Sequence, residues 1–192
     1  MRCLFVTGAY LGHQIVFHHA QTFETQIWTM AGTNIVRRDT VHDEFDHPIF
    51  VGPPFFIVGA CSKFSTTGNP SIVWHNDTTG ETQIWIMNEN TFSGIGGIKI
   101  SKRRTVLDES RKPIFVGPPF RIVGMANFHG DPSLHDVGDI VWHNDSTGET
   151  QIWIMEDDGV RIARRQTVVD ENRKPILVKL PFHIVGVATP RH

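Results

Sequence analysis

The sequence predicts an all-β chain built from three repeats of four strands, with one further strand left over. Two observations carry this. A seventeen-residue block recurs almost verbatim, as Ser71-Ile72-Val73-Trp74-His75-Asn76-Asp77-Thr78-Thr79-Gly80-Glu81-Thr82-Gln83-Ile84-Trp85-Ile86-Met87 and again over 139–155. Between its Ile and Met the two copies differ only at Thr78 against Ser146. A worn third copy runs from Gln14 to Met30. The second observation is that no segment has helical periodicity with caps, whereas every repeated piece is a short β-branched and aromatic run bounded by turn residues.

The first element of each repeat is a short apolar run. It reads Gly52-Pro53-Pro54-Phe55-Phe56-Ile57-Val58-Gly59, then Gly117-Pro118-Pro119-Phe120-Arg121-Ile122-Val123-Gly124, then Lys179-Leu180-Pro181-Phe182-His183-Ile184-Val185-Gly186. Near the N-terminus, Phe5, Gly8 and Ala9 align with Phe56, Gly59 and Ala60. Pro at one end and Gly at the other frame a buried strand. A linker of variable length follows, over 10–13, 62–70 and 127–138. Variation confined to one slot of a repeat marks a surface loop.

The second element is Ile-Val-Trp-His-Asn, and the third is Thr-Gln-Ile-Trp-Ile-Met. Between them Asp-Thr-Thr-Gly or Asp-Ser-Thr-Gly makes a hairpin turn whose Gly supplies a backbone angle that other residues resist. Phe23 replaces that Gly in the first repeat, so its turn is expected to differ. Both strands are apolar at nearly every position, which predicts burial on both faces. The fourth element carries an Arg pair and a Thr-Val step: Arg37-Arg38-Asp39-Thr40-Val41, Arg103-Arg104-Thr105-Val106 and Arg164-Arg165-Gln166-Thr167-Val168. An Asp-Glu pair and a polar turn ending in Pro follow each time.

Four strands in roughly 60 residues, repeated, is the pattern of a β-propeller blade, and propellers close with about 4–8 blades. The expected layout is a single repeat domain over 1–192, with repeats near 4–55, 56–119 and 120–181 and a spare strand at 182–187. Three blades leave strand edges open. Association of two chains, a homodimer completing a ring, is the expected remedy, with the spare strand completing a neighbour's blade. A β-trefoil is the alternative fold, since it too has three repeats of four strands and Gln26-Ile27-Trp28, Gln83-Ile84-Trp85 and Gln151-Ile152-Trp153 match a Gln-x-Trp pattern.

The run Asp139-Ile140-Val141-Trp142-His143-Asn144, followed by Thr147-Gly148-Glu149 and Ile152-Trp153-Ile154-Met155, resembles the FG-GAP-like (VCBS-type) repeat of bacterial β-propellers. Phe120-Arg121-Ile122-Val123-Gly124 resembles the strand that precedes it. The resemblance covers essentially the whole chain. It implies a binding or spacing module, some members being lectins, and often a calcium loop of the Asp-x-Asp-x-Asp-Gly type before the Ile-Val-Trp strand. This sequence departs from that loop. Only the third slot carries acids, Asp131, Asp136 and Asp139, with the wrong spacing, and the second slot carries none.

Composition excludes several functions. A formal net charge of −2 gives no basic field for nucleic acid. No apolar run approaches the ~20 residues of a membrane span. No signal peptide is visible, so a cytoplasmic location or release by a non-classical route is expected. Cys3 and Cys61 do not make a disulfide framework. No Gly-x-Ser-x-Gly, phosphate loop or His-Glu-x-x-His is present, so no enzyme activity is expected. The one place that breaks the repeat's symmetry is the 127–139 loop, where His129, His135, Asp131 and Asp136 would suit a metal-dependent hydrolase as a minor alternative; a solvated loop is the plainer reading.

The candidate ligand-binding groups are Trp74, His75, Asn76 and Asp77, with their copies Trp142, His143, Asn144 and Asp145. A sugar site needs a flat apolar face and fixed donors and acceptors, and each tetrapeptide has both. The bland alternative is that the Trp packs between repeats and the Asn makes an Asx turn. The first repeat has Phe17-His18-His19-Ala20 there and is expected to bind weakly. The leading expectation is a non-catalytic, multivalent carbohydrate-binding protein with no cofactor. A protein–protein scaffold module of a surface or toxin assembly is the alternative.

Overall fold

The computed structural model describes residues 2–8, 12–61, 71–87, 98–128, 138–156, 158–182, 184, 186 and 187. These contain twelve strands and no helix. In the first repeat they are β1 (Arg2–Gly8), β2 (Gly12–His18), β3 (Thr25–Ala31) and β4 (Asn34–His42). In the second they are β5 (Phe55–Cys61), β6 (Ser71–Asn76), β7 (Thr82–Met87) and β8 (Ile98–Thr105). In the third they are β9 (Phe120–Ala126), β10 (Asp139–Asn144), β11 (Thr150–Met155) and β12 (Ile162–Thr167). Each repeat thus gives four strands that are consecutive in sequence and neighbours in a sheet.

The sheets are not three, however, but two. One has the order β1-β2-β3-β4-β8-β7-β6-β5 and the other β12-β11-β10-β9. The merger rests on one short parallel rung, Val41 to Ile98 and His42 to Lys99, which joins the fourth strands of the first two repeats. Between the second and third repeats the same rung is a single parallel bridge, Leu107 to Arg161. That is too short to fuse the sheets.

The chain divides into two compact units. The first holds Met1–Trp74 and Gln83–Arg104, the second His75–Thr82 and Thr105–His192. The boundary therefore cuts through β6 and β7 and assigns the second repeat's hairpin tip to the unit that follows. The reason is a clasp. After each fourth strand the chain turns and returns antiparallel to a hairpin tip. In the second unit Val116 N donates to Gly80 O at 2.8 Å, and Val178 N donates to Gly148 O at 2.7 Å. In the first unit Val51 N donates to Phe23 O at 3.1 Å.

The polar turns before each clasp are alike. Asp43 accepts from Phe45 N and His47 N, Asp108 from Ser110 N and Lys112 N, and Asp170 from Asn172 N and Lys174 N. Each turn has one non-glycine residue at positive φ, namely Asp46, Arg111 or Arg173.

Strands β6 and β10 are buried at all six positions, which is the two-faced burial their continuous apolar run demands. In the first unit Val16, Ile27, Val41, Ile72, Trp74 and Trp85 belong to one packed core. In the second unit Ile140, Trp142, Trp153, Met155 and Ile162 are buried.

Two expectations change. The pairing puts Arg2 opposite His18, as Arg121 lies opposite His143, so Arg2 and not Phe5 takes the slot of Phe56 and Arg121. Strand β1 pairs with β2 without the register shift that β9 makes against β10 at Val141/Trp142. Of the 182–187 stretch, the described residues 182, 184, 186 and 187 lie in no strand. Their equivalents in β9 are strand because β10 supplies a pairing edge, and no strand among the described residues offers one here.

Candidate functional site

The Trp-His-Asn-Asp block is the end of a strand running into a hairpin, and each side chain in it has a separate task. Asn76 closes the turn. Its Oδ1 accepts from Thr78 N and Thr79 N, both at 2.9 Å, and its carbonyl accepts from Gly80 N at 2.7 Å. Asn144 does the same for Ser146, Thr147 and Gly148. Gly80 and Gly148 hold φ of 76° and 80°, the left-handed region that glycine enters without penalty.

The first repeat was expected to turn differently, and it does not. His19 Nδ1 takes the place of the Asn oxygen, accepting from Gln21 N at 3.2 Å and Thr22 N at 3.0 Å. Phe23 adopts φ of 61° in the glycine position, at a cost of about 1–2 kcal/mol. Gly52 makes room for its ring, since a Cβ there would stand 2.9 Å from it.

The histidines face inward. His75 Nδ1 is hydrogen-bonded to Thr82 Oγ1 at 3.0 Å, and His143 Nδ1 to Thr150 Oγ1 at the same distance. His18 and Thr25 repeat the pair at 3.1 Å. Burial holds the His75 imidazolium below the ordinary histidine range, while Asp77, with its carboxylate 3.9 Å from Nε2, pulls weakly the other way.

Trp74 and Trp142 are 0% and 1% exposed. Each packs on the tryptophan of the next strand, Trp85 or Trp153, with centroids 4.9 Å and 4.8 Å apart. Each also meets a histidine of the preceding repeat edge-on: His18 against Trp74 and His75 against Trp142, both at 5.5 Å. These indoles are packing surfaces, and neither offers an open face on which a sugar ring could stack. Their Nε1 atoms are buried and make no hydrogen bond among the described residues.

Asp77 and Asp145 point outward. Asp145 accepts from Arg121 Nε through both oxygens, at 2.9 Å and 3.0 Å. In the third repeat an open cleft of about 510 Å³ is lined by Arg121, His143, Asp145, Lys179, Leu180 and Phe182, among others. Leu180 and Phe182 are 76% and 74% exposed. Of the predicted site residues, the structure thus brings His143 and Asp145 together with groups the sequence reading passed over. Arg121 and the Leu-Pro-Phe run were visible in the sequence only as departures from Phe56 and Pro118-Pro119.

The metal candidates separate. Asp139 is fully buried and accepts from Phe128 N at 2.7 Å and Met155 N at 2.9 Å, so it ties the start of the variable loop to β11. Asp131 and Asp136 lie outside the described residues, as do His129 and His135. Among the described residues no three His, Cys, Asp or Glu side chains gather as a metal would require.

The Gln-Ile-Trp strands carry an arrangement the sequence reading missed. Gln26, Gln83 and Gln151 each accept the indole N–H of the Trp two positions on, at 2.9, 2.9 and 3.1 Å. The Arg two positions before the Thr of each fourth strand covers the ring. Arg38, Arg103 and Arg165 stand 4.6, 4.8 and 4.7 Å over Trp28, Trp85 and Trp153. Residues two apart on a strand share a face, so the signal was the spacing of Gln and Trp together with an Arg two positions before the Thr-Val step of each fourth strand.

No protein-family model matches the chain. No curated protein matches it either. Among solved structures, a protein of unknown function from Bacteroides caccae is similar with a TM-score of 0.42 and 11% identity, covering 90% of this chain. The chain spans about half, 51%, of that protein's length.

Proposed function

We propose that the chain is a non-catalytic carbohydrate-binding module of the β-propeller type, each run of four strands being one blade. Sheet order supports the blade reading, since the four strands of each repeat are neighbours in chain order. The ligand site in this reading is the third-repeat cleft. The observation that carries it is the pairing of exposed apolar groups, Leu180 and Phe182, with a fixed polar pair, Arg121 and Asp145, in one cleft. Sugars are bound by that combination: an apolar surface for the ring's C–H face, and held donors and acceptors for hydroxyls. In the second repeat Phe56 stands where Arg121 stands, so Asp77 lacks the equivalent partner and its site is the weaker one.

A glycan array probed with the folded, labelled protein tests this. Binding to one sugar class is expected, and Arg121→Ala or Phe182→Ala should abolish it with the fold intact. A blank array would leave the second reading, a protein–protein module. The burial of Trp74 and Trp142 favours that reading, because it removes the repeated aromatic faces that a multivalent lectin would use.

A further inference from the structure

Each repeat makes the same contact with the repeat before it, and that contact has four parts. Within the first unit, His18 meets Trp74 edge-on, and the His42–Lys99 rung joins the fourth strands. Arg103 pairs with Glu44 at 3.3 Å, and Ile100 is 1% exposed. Within the second unit, His75 meets Trp142, and Leu107 pairs in parallel with Arg161. Arg165 pairs with Glu109 at 3.0 Å, and Ile162 is 0% exposed. Every part of the contact recurs at the equivalent residue.

Half of the same contact stands unmatched at each end of the series. On the first repeat, Ile35 holds the place of Ile100 and Ile162, yet it is 38% exposed. Arg38 holds the place of Arg103 and Arg165. It covers Trp28 as they cover theirs, but it has no carboxylate partner among the described residues. On the third repeat, Glu171 holds the place of Glu44 and Glu109; it is exposed and makes no ion pair among the described residues. Val169, in the place of His42 and Leu107, is 44% exposed. It pairs with Pro175 on one edge, as His42 pairs with Pro48 and Leu107 with Pro113, and no strand among the described residues takes the other. His143 meets no aromatic ring among the described residues.

We propose that these are two halves of one interface, and that a second copy of this chain docks its first repeat against the third. The interface places Arg38 of one copy on Glu171 of the other. It extends the parallel rung from Val169 to Asn34, buries Ile35, and sets Phe17, which holds the place of Trp74 and Trp142, against His143. The occupant is specified by residue pairs of matched charge, apolar character and strand polarity, and each pair has two worked precedents within the chain. The contact is heterologous, so it either closes a ring or grows a fibre. For the 192-residue chain, two copies give six blades, the one multiple of three inside the range of about 4–8 in which propellers close.

The proposal rests on the blade reading but not on the sugar. The test is the mass of the full chain in solution by light scattering and sedimentation, across a range of protein and salt concentrations. A dimer is expected, at about twice the 21.7 kDa of one chain. Glu171→Arg and Arg38→Glu should each raise the dissociation constant at least about tenfold, because each places like charges together twice per dimer. The double variant, with the charges exchanged, should restore the dimer. A wild-type chain that stays monomeric overturns the proposal. So does a dimer unmoved by either single change, or one weakened by both and not recovered by the exchange, with strand content unaltered. A dimer with a blank glycan array removes only the sugar reading, and a sugar-binding monomer removes only this one.

Discussion

His75 and Trp142 meet edge to face with ring centroids 5.5 Å apart, and the histidine is held for that contact by Thr82 at 3.0 Å. The pair links consecutive repeats, and His18 with Trp74 is its duplicate. The Trp and His of a motif that reads as a sugar site in one dimension thus pack between repeats in three.

Trp142→Ala should cost on the order of 3–5 kcal/mol, the range for truncating a buried aromatic. Trp142→Phe should cost well below that, because Phe17 already fills the equivalent place against Trp28 at 4.0 Å. Urea midpoints of the two variants check the ranking, and equal losses would sink it.

Two glycines should separate conformation from space. Gly32 has φ of 60° and nothing within 4 Å of where a Cβ would stand. Gly80 has φ of 76°, and a Cβ there would lie 2.7 Å from Val116 N. Gly32→Ala should therefore cost about 1–2 kcal/mol for the backbone alone. Gly80→Ala should cost more, since the clasp must move as well. Guanidinium unfolding of both reads the difference.

Gln151→Leu should destabilise by about 1–3 kcal/mol, the penalty for leaving a buried donor without its acceptor. The donor is the Trp153 indole N–H, and the loss also frees Glu149 from Gln151 Nε2. Glu149 is held below the usual carboxylate range first by that Gln151 bond and then by Thr167. Its pKa, followed by NMR, should rise in the variant.

Acid should weaken the fold through His75. Its folded pKa is depressed, chiefly by burial, whereas the unfolded chain protonates it near the ordinary value of about 6.5. The unfolded state then binds the extra proton first. The contribution is complete above about pH 6.5, declines as pH falls below that, and levels off once pH passes the folded pKa. His75→Gln should lower stability at pH 7.5 but flatten this part of the pH profile, as urea midpoints at several pH values would report.

The repeats, the strand boundaries and the hairpin turns were legible because each is written in side-chain chemistry: apolar runs, Asn at the turn, Gly after it. Phe23 was not legible. A bulky residue at positive φ is tolerated only because Gly52, twenty-nine positions away, leaves a gap for its ring. Nor was the joining of two repeats into one sheet, since the rung at His42 and Lys99 is backbone pairing over two residues and imposes no pattern. The role of Trp74 and Trp142 hung on whether another ring covers them, and a strand's own letters say only that a face is apolar. Nor did the letters show that Arg38, Arg103 and Arg165 each stand over an indole, a contact worth about 0.5–1 kcal/mol where exposed, because that depends on which residue of the neighbouring strand lies opposite.

The clasp between Gly80 and Val116 sets where this chain can be cut and pasted. A hairpin and the segment that pins it are some thirty-five residues apart, with an entire fourth strand between them. A transplanted or duplicated module that stopped at the last strand would leave its own hairpin tip unpinned. The smallest inheritable unit therefore runs on through the return segment to the following Gly-Pro-Pro, and insertions that respect this frame should fall in the variable loops after the first strand, where neither the tip nor its pin is disturbed.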